Sequence, residues 1–412
     1  MSGKETRLAL VEQAFGSLPG RYLGANPGFD ATFHVRLGDV GHSWEVRADQ
    51  HAARVRKGAC NRRPDVTITT DAATWVALRN GELSGIEAFS RRRLAARGDL
   101  DLAVGFEGLF RRPDGGEPLL RVHDVKLPEA RISALTMGRG RDVLLLHGLG
   151  GTKTSMYEPA AALAAAGYRA HAIDLPGFGS SSKPATAPYN ARWFAHIVQE
   201  WMDAMDIPRA HIVGNSMGGR VALELAIREP QRVHALGLLC PAVAFIRREF
   251  HPLVRLAQPH LALLPHRLLR SLVEQQFWSM FADRDLVDPS VAAVAIDEFQ
   301  RIYGSRGARY AFLAAARNLY LDRPYGEDGF YPRLAGLQAP ALFIWGSHDK
   351  LIPSAFKPHV AKWLPRAEQI VLDDCGHVPQ IERPEQTNAQ LKRFLARADA
   401  LLGPHEAGRL AA

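Results

Sequence analysis

Val143-Leu144-Leu145-Leu146 is an apolar run with no alternation. Similar runs recur at His211-Ile212-Val213, Leu236-Gly237-Leu238-Leu239, Ala341-Leu342-Phe343-Ile344-Trp345 and Gln369-Ile370-Val371-Leu372. A strand that is apolar on both faces has to be covered on both, the condition of a parallel sheet with helices above and below it. Helical stretches at 159–166 and 220–228 separate the runs. Alternating strands and helices predict a doubly wound, mostly parallel α/β sheet over residues 126–412.

The chain ahead of that region has a different grammar. In Thr32-Phe33-His34-Val35-Arg36-Leu37, Phe, Val and Leu take one face and Thr, His and Arg the other, and Trp44-Glu45-Val46-Arg47 and Val66-Thr67-Ile68-Thr69 repeat the pattern. Strands of period two are covered on one face only. Asp71 reads as the N-cap of a helix carrying Trp75, Val76 and Leu78 that stops near Asn80-Gly81. A second helix is expected over 85–92, a turn at Arg97-Gly98-Asp99, and a terminal helix through Leu100, Leu102, Val104, Phe106, Leu109 and Phe110. The expectation is an α+β domain over 1–125, with Pro- and Gly-containing residues 113–131 as the connection.

Charge and cysteine content exclude several classes. The net charge of +8 is spread along the chain, and Arg91-Arg92-Arg93 is the tight basic run, so no nucleic-acid partner is expected. The longest stretch without Asp, Glu, Lys or Arg is Val233 to Ile246, 14 residues, short of a membrane-spanning helix. The start MSGKETRLALVEQ lacks the apolar centre of a secretory leader. Cys60, Cys240 and Cys375 match no metal-ligand spacing and suit a reducing compartment. The expected location is cytoplasmic, with contact at the inner membrane surface as an extension; no cofactor and no metal are expected.

The chemistry centres on Gly214-Asn215-Ser216-Met217-Gly218, placed between the strand ending at Val213 and a helix starting near Gly219. A G-x-S-x-G sequence in that context makes a sharp turn, and small residues two positions either side of the serine let it close. A serine hydroxyl is a weak nucleophile and needs a base that is itself held by an acid. Asp349 follows the Phe343-Ile344-Trp345 strand and His377 follows Ile370-Val371-Leu372, both at carboxyl ends of strands. The expected roles are Ser216 as nucleophile, His377 as base and Asp349 as orienting acid. His348, Asp373 and Asp374 are rivals with less suitable positions. Two backbone donors should face the oxyanion: Met217 N–H, and Leu149 N–H from His147-Gly148-Leu149-Gly150-Gly151, with Gly150 as the alternative. His147 is expected to orient this loop.

These motifs, with Asp174-Leu175-Pro176-Gly177-Phe178-Gly179-Ser180-Ser181 and Gly376-His377-Val378-Pro379, resemble the α/β-hydrolase superfamily. The resemblance covers about residues 130 to 400 and implies a helical cap inserted at about 241–334. The amino-terminal residues Trp44-Glu45-Val46, Pro64 through Thr69, Leu78-Arg79-Asn80-Gly81-Glu82-Leu83, Ala88-Phe89 and Leu94 through Leu100 resemble the sterol-carrier-protein family. That resemblance implies a five-stranded sheet and helices around an apolar tunnel; the plainer reading is a filled core.

Within the cap, residues 245–272 mix Arg247, Arg248, Arg255, Arg267 and Arg270 with leucines and are interrupted by Pro252, Pro259 and Pro265. The segment reads either as a lid resting on an anionic membrane surface or as an ordinary solvated cap, and the prolines favour the second. The leading expectation is a serine hydrolase for a carboxylic ester of a lipophilic small molecule such as an acylglycerol. A carbon–carbon hydrolase of ring-fission diketones is the second reading. Asn215 and Cys375-Gly376-His377 resemble that group, whereas Val378 and the short 147–151 loop depart from it. The third is a lipid-binding or transfer protein with an idle hydrolase domain. The oligomeric state is left open.

Overall fold

The computed structural model describes residues 3–26, 28–245, 259, 269–287 and 289–401. Two compact units emerge, one taking in the chain up to His123 and the other starting at Asp124, with Leu135–Met137 grouping with the first.

The first unit holds a five-stranded sheet in the order β3-β2-β1-β4-β5. Its strands are β1 Asp30–Leu37, β2 His42–Asp49, β3 Ala53–Lys57, β4 Val66–Thr70 and β5 Leu94–Gly98. β1 pairs antiparallel with β2 and parallel with β4. The period-two pattern sets which face is covered: Phe33, Val35, Leu37, Trp44, Val46 and Ala48 are buried. Asp71 caps the helix Ala72–Asn80 by accepting the Thr74 N–H at 2.8 Å, and Gly81 ends it in the left-handed region at φ 73°. The helix Gly85–Ser90 is shorter than expected, and the terminal helix splits into Leu100–Gly105 and a 3-10 turn Glu107–Leu109.

Arg97-Gly98, read as part of a turn, is instead the end of β5. Gly98 adopts φ 111°, and a Cβ there would overlap the Asp65 carbonyl, so the glycine serves a close strand approach. The large aromatic side chains pack against one another as a core: Phe15 stacks on Trp44 at 4.4 Å and on Trp75 at 4.5 Å.

The second sheet has eight strands in the order β13-β12-β11-β10-β8-β9-β7-β6. These are β6 Leu120–Lys126, β7 Arg131–Gly138, β8 Arg141–Leu146, β9 Tyr168–Ile173, β10 Ala210–Asn215, β11 Val233–Leu239, β12 Ala341–Gly346 and β13 Glu368–Leu372. β9, β8, β10, β11, β12 and β13 pair in parallel. β6 lies inside 113–131, so that stretch is not a bare connection.

Helices cover the sheet. Ala191–Ala204 buries Trp193, Phe194, Ile197, Val198, Trp201 and Met202, a stripe at helical spacing. β9 lies on one side of β8 and β10 on the other, so the strand order reverses at the sheet centre, and ligands in open α/β sheets bind outside the carboxyl ends of such strands. Between β11 and β12 the described residues form the helices Arg270–Trp278, Pro289–Tyr303, Arg306–Leu321 and Phe330–Leu334. Most of 245–272, including the basic membrane-lid reading, lies outside the described residues. No helix among the described residues is long and apolar enough to cross a membrane.

Candidate active site

β10 ends at Asn215 and the helix Met217–Arg228 starts two residues earlier than the sequence suggested, leaving Ser216 alone in the turn. Ser216 adopts φ 51° and ψ −115°, a strained backbone for an L-residue. Three backbone bonds over-determine it: its N–H donates to Leu239 O at 2.9 Å, and its carbonyl accepts from Arg220 N–H at 3.1 Å and Ala242 N–H at 2.9 Å. The flanking glycines are sterically required. A Cβ on Gly214 would fall 2.5 Å from the Gly218 carbonyl carbon, and one on Gly218 would overlap the Leu146 carbonyl.

His377 and Asp349 meet at the carboxyl end of the sheet. His377 Nδ1 bonds Asp349 Oδ2 at 2.7 Å, with each residue 5 % exposed. Asp349 Oδ1 accepts the N–H groups of Leu351 at 2.8 Å and Ile352 at 2.9 Å, which fixes the carboxylate plane. Of the rivals, His348 bonds the neighbouring Ser347 hydroxyl at 2.8 Å on the surface, and Asp373 and Asp374 are exposed. Cys240, just after β11, brings its Sγ within 4.8 Å of Asp349 and His377 donor atoms. Burial and the adjoining Asp349 carboxylate push the Cys240 thiol well above its ordinary range. His377 Nδ1 and Asp349 Oδ2 are bonded to each other at 2.7 Å, so both are engaged in the pair beside the thiol.

The 147–153 loop lies against the nucleophile turn, since a Cβ on Gly148 would sit 3.2 Å from Ser216 Cβ. His147 organises it. Its Nδ1 donates to Gly148 O at 2.7 Å and its Nε2 accepts from Leu175 N–H at 3.0 Å, so both nitrogens are committed. Burial holds His147 below the usual histidine range, in keeping with that neutral tautomer. Behind it, the fully buried Lys153–Asp174 pair closes at 2.8 Å. Asp174 also accepts Lys153 N–H at 2.7 Å and Ser180 N–H at 2.8 Å, tying this loop to the 174–180 motif. Gly151 N–H is spent on Gly148 O at 3.0 Å, whereas Leu149 and Met217 N–H enter none of the loop hydrogen bonds among the described residues. Met217 opens its helix, where backbone N–H groups have no partner within the helix.

Two supports were not legible beforehand. Asn215 Nδ2 donates to Leu239 O at 3.0 Å and to His377 O at 3.1 Å. Glu382, only 4 % exposed, accepts Gly376 N–H at 2.6 Å on one oxygen and Ala282 N–H at 2.8 Å and Asp283 N–H at 3.0 Å on the other. With His377 N–H donating to Met280 O at 2.7 Å, the cap residues 280–283 are bolted to the histidine loop. The sequence carries no clear signal for Glu382, which follows the mixed stretch Val378-Pro379-Gln380-Ile381; its burial is what requires the donors. Across the site, Phe312 and Phe299 of the cap helices lie 3.0 and 3.2 Å from the Cβ position of Gly150 and make an aromatic wall.

Comparison with known proteins agrees with this architecture. Residues 143–384 match the alpha/beta hydrolase fold family and residues 25–111 the SCP-2 sterol transfer family. A dihydrolipoyllysine-residue acetyltransferase component of the acetoin cleaving system from Cupriavidus necator is 33% identical over 260 residues, 63% of this chain and 64% of that protein. The chain thus spans just under two thirds of that relative's length. A 2-hydroxymuconate semialdehyde hydrolase from Pseudomonas sp. is 34% identical over 268 residues, 64% of this chain and 89% of that one. Among solved structures, a bacterial membrane phospholipase A superposes with a TM-score of 0.58 at 28% identity, over 68% of this chain and 87% of that chain.

Proposed function

Because the chain belongs to the α/β-hydrolase fold family and carries an SCP-2 sterol transfer family domain ahead of it, we propose that it cleaves a carboxylic ester of a lipophilic small molecule. The observation that carries the reading is the buried His377–Asp349 bond of 2.7 Å at the same strand ends as the strained Ser216 turn. Ser216 Oγ attacks the ester carbonyl while His377 Nε2 takes its proton, and Asp349 stabilises the resulting imidazolium. The oxyanion is received by the Leu149 and Met217 N–H groups. Collapse expels the alcohol with the proton returned from His377 and leaves an acyl group on Ser216. Water, deprotonated by His377, then attacks the acyl-enzyme and releases the acid.

The lipophilic part of the reading rests on the aromatic wall of Phe299 and Phe312 beside Gly150, on the preceding sterol-transfer-family domain, and on the likeness to a phospholipase A. Such a domain raises the local concentration of a poorly soluble substrate. The test is hydrolysis of p-nitrophenyl esters from acetate to palmitate by the full chain and by Ser216→Ala. Turnover rising with acyl length, absent in the variant together with fluorophosphonate labelling, is the expected result. Esterase activity persisting in Ser216→Ala sinks the assignment.

A second reading has its own support in the 2-hydroxymuconate semialdehyde hydrolase relative, which points to carbon–carbon cleavage of a ring-fission product. Val378 packs with Phe281, Val287 and Ala292 of the cap; it stands where the carbon–carbon hydrolases that the sequence resembles usually carry tryptophan, a departure that counts against this second reading. A vinylogous diketone acid assayed beside the esters separates the two reactions.

A further inference from the structure

The 147–153 loop carries the Leu149 N–H expected at the oxyanion, and three of its seven residues are glycine. Glycine leaves a backbone free to take many conformations, so the position of such a loop has to be imposed by its surroundings. Both ends of the loop land on consecutive residues just past β9. At the front, His147 Nε2 accepts the Leu175 N–H at 3.0 Å. At the back, Lys153 binds the Asp174 carboxylate through both backbone and side chain: its N–H donates to Oδ1 at 2.7 Å and its Nζ to Oδ2 at 2.8 Å. Nζ also donates to the Ser133 hydroxyl of β7 at 3.2 Å.

Asp174 is itself immobilised. Its N–H donates to Ser133 O at 2.9 Å, its carbonyl accepts the Ser181 hydroxyl at 2.6 Å, and its Oδ2 accepts the Ser180 N–H at 2.8 Å. A Cβ on Gly179 would overlap the carboxylate carbon, so that backbone lies directly against it. Both side chains of the Lys153–Asp174 pair are fully shielded from water. A buried ion pair adds little net stability over apolar side chains of the same size, because desolvation consumes its attraction. Its distinct contribution is a fixed, hydrogen-bonded geometry. Here that geometry is imposed on a loop that touches the nucleophile turn, where the Cβ position of Gly148 is 3.2 Å from Ser216 Cβ.

We propose that Lys153 is a positioning residue for ester cleavage: held by Asp174, it sets the loop at the distance from Ser216 at which the Leu149 N–H meets the oxyanion. The inference rests on the ester-hydrolase reading and adds to it a residue that touches neither the substrate nor the transferred proton. The carbonyl oxygen becomes an oxyanion only as Ser216 Oγ bonds to the ester carbon, so a shifted loop penalises the rate and spares ground-state binding.

The experiment compares Lys153→Met with the unaltered full chain on p-nitrophenyl octanoate and on a trifluoromethyl ketone of similar length. The ketone stands in for the transition state: Ser216 Oγ bonds to its carbonyl carbon, the serine proton passes to His377, and the carbonyl oxygen becomes the oxyanion. Lys153→Met should lower kcat about 100-fold, the scale of one lost oxyanion donor, with KM within about threefold. Ketone affinity should fall in proportion to kcat. Lys153→Met strands a buried carboxylate; should it fail to fold, Lys153→Met combined with Asp174→Asn removes both charges and carries the same expectation. A variant that folds with kcat and ketone affinity within about twofold of the unaltered chain, and only its unfolding midpoint lowered, overturns the proposal. So does a rise in KM at constant kcat, which places Lys153 in substrate binding. If the unaltered chain neither cleaves the ester nor binds the ketone, the ester reading falls and the role of Lys153 with it.

Discussion

Asn215, the residue immediately before Ser216, hydrogen-bonds through Nδ2 to the carbonyl oxygen of His377 at 3.1 Å. The nucleophile turn and the histidine loop are thereby joined by a side chain that touches neither proton in the reaction. Both residues are buried, so the bond ties the nucleophile turn to the histidine loop in a place that water does not reach.

Replacing Asn215 with Leu keeps the branched outline of the side chain and removes both donations, leaving the Leu239 and His377 carbonyls each short of one donor. The cost to stability should be about 1–3 kcal/mol. The cost to catalysis should exceed that to binding, because misplacement of about 1 Å in a base is worth on the order of 100-fold in rate. Steady-state kinetics on a p-nitrophenyl ester should show kcat falling and KM nearly constant. A rise in KM alone would place Asn215 in substrate binding instead.

Ser216 stores strain that the reaction needs and folding does not. At φ 51° and ψ −115° a glycine sits without a Cβ clash, whereas alanine keeps it. Ser216→Gly and Ser216→Ala should therefore be equally inactive but differ in stability, with the glycine variant ahead by about 1 kcal/mol. Thermal unfolding of the pair checks this. Equal midpoints would mean that the surrounding bonds from Leu239, Arg220 and Ala242 have absorbed the strain.

The contrast between these residues shows what a sequence can reveal. Ser216, Asp349 and His377 each follow the end of a strand closely, so local pattern places them beyond the carboxyl ends of β10, β12 and β13. Asn215 and His377 are 162 residues apart, and no local pattern joins them. β9 was not marked by an apolar run because Arg169 and His171 interrupt it; both are answered by Asp142 of β8, at 2.5 and 2.8 Å. β5 was hidden by Gly98, whose turn-like chemistry serves a close approach to Asp65. The apolar excess of the first unit was legible, but whether it lines a tunnel or fills a core depends on stacking such as Phe15 between Trp44 and Trp75.

Glu382 offers a sharper test of how the cap is held. Its two oxygens take three backbone N–H groups, one from the histidine loop and two from the cap. Glu382→Gln keeps one acceptor oxygen and turns the amide NH2 toward donors, so one set of bonds is lost. Loss of stability should be about 2–3 kcal/mol, the range of hydrogen bonds to charged groups. Glu382→Asp, which retains both oxygens on a shorter stem, should recover part of kcat. If Glu382→Gln lowers the unfolding midpoint but leaves kcat intact, the carboxylate is structural only.

The buried histidines set an acid limit on the fold. Burial is the largest influence on His147 and His171 and holds both below their ordinary value of 6.5. His234 is held down to about 3, by burial first and by His211, Arg209 and Arg141 next. In each case the unfolded chain takes up a proton that the folded chain refuses, so stability rises with pH across that interval and is lost as pH falls below the unfolded value. Each fully titrating proton contributes about 1.4 kcal/mol per pH unit. Unfolding free energy should thus be nearly level above about pH 7 and fall with a slope of two to three protons below about pH 6. His234→Asn removes one titrating group from the edge of this set and should flatten the slope by up to one proton. Denaturant unfolding at half-unit pH steps measures it. A profile that stays level down to about pH 5 would show that these histidines are protonated in the folded chain, and that the His147 tautomer holding the Gly148 carbonyl and the Leu175 N–H is not the neutral one.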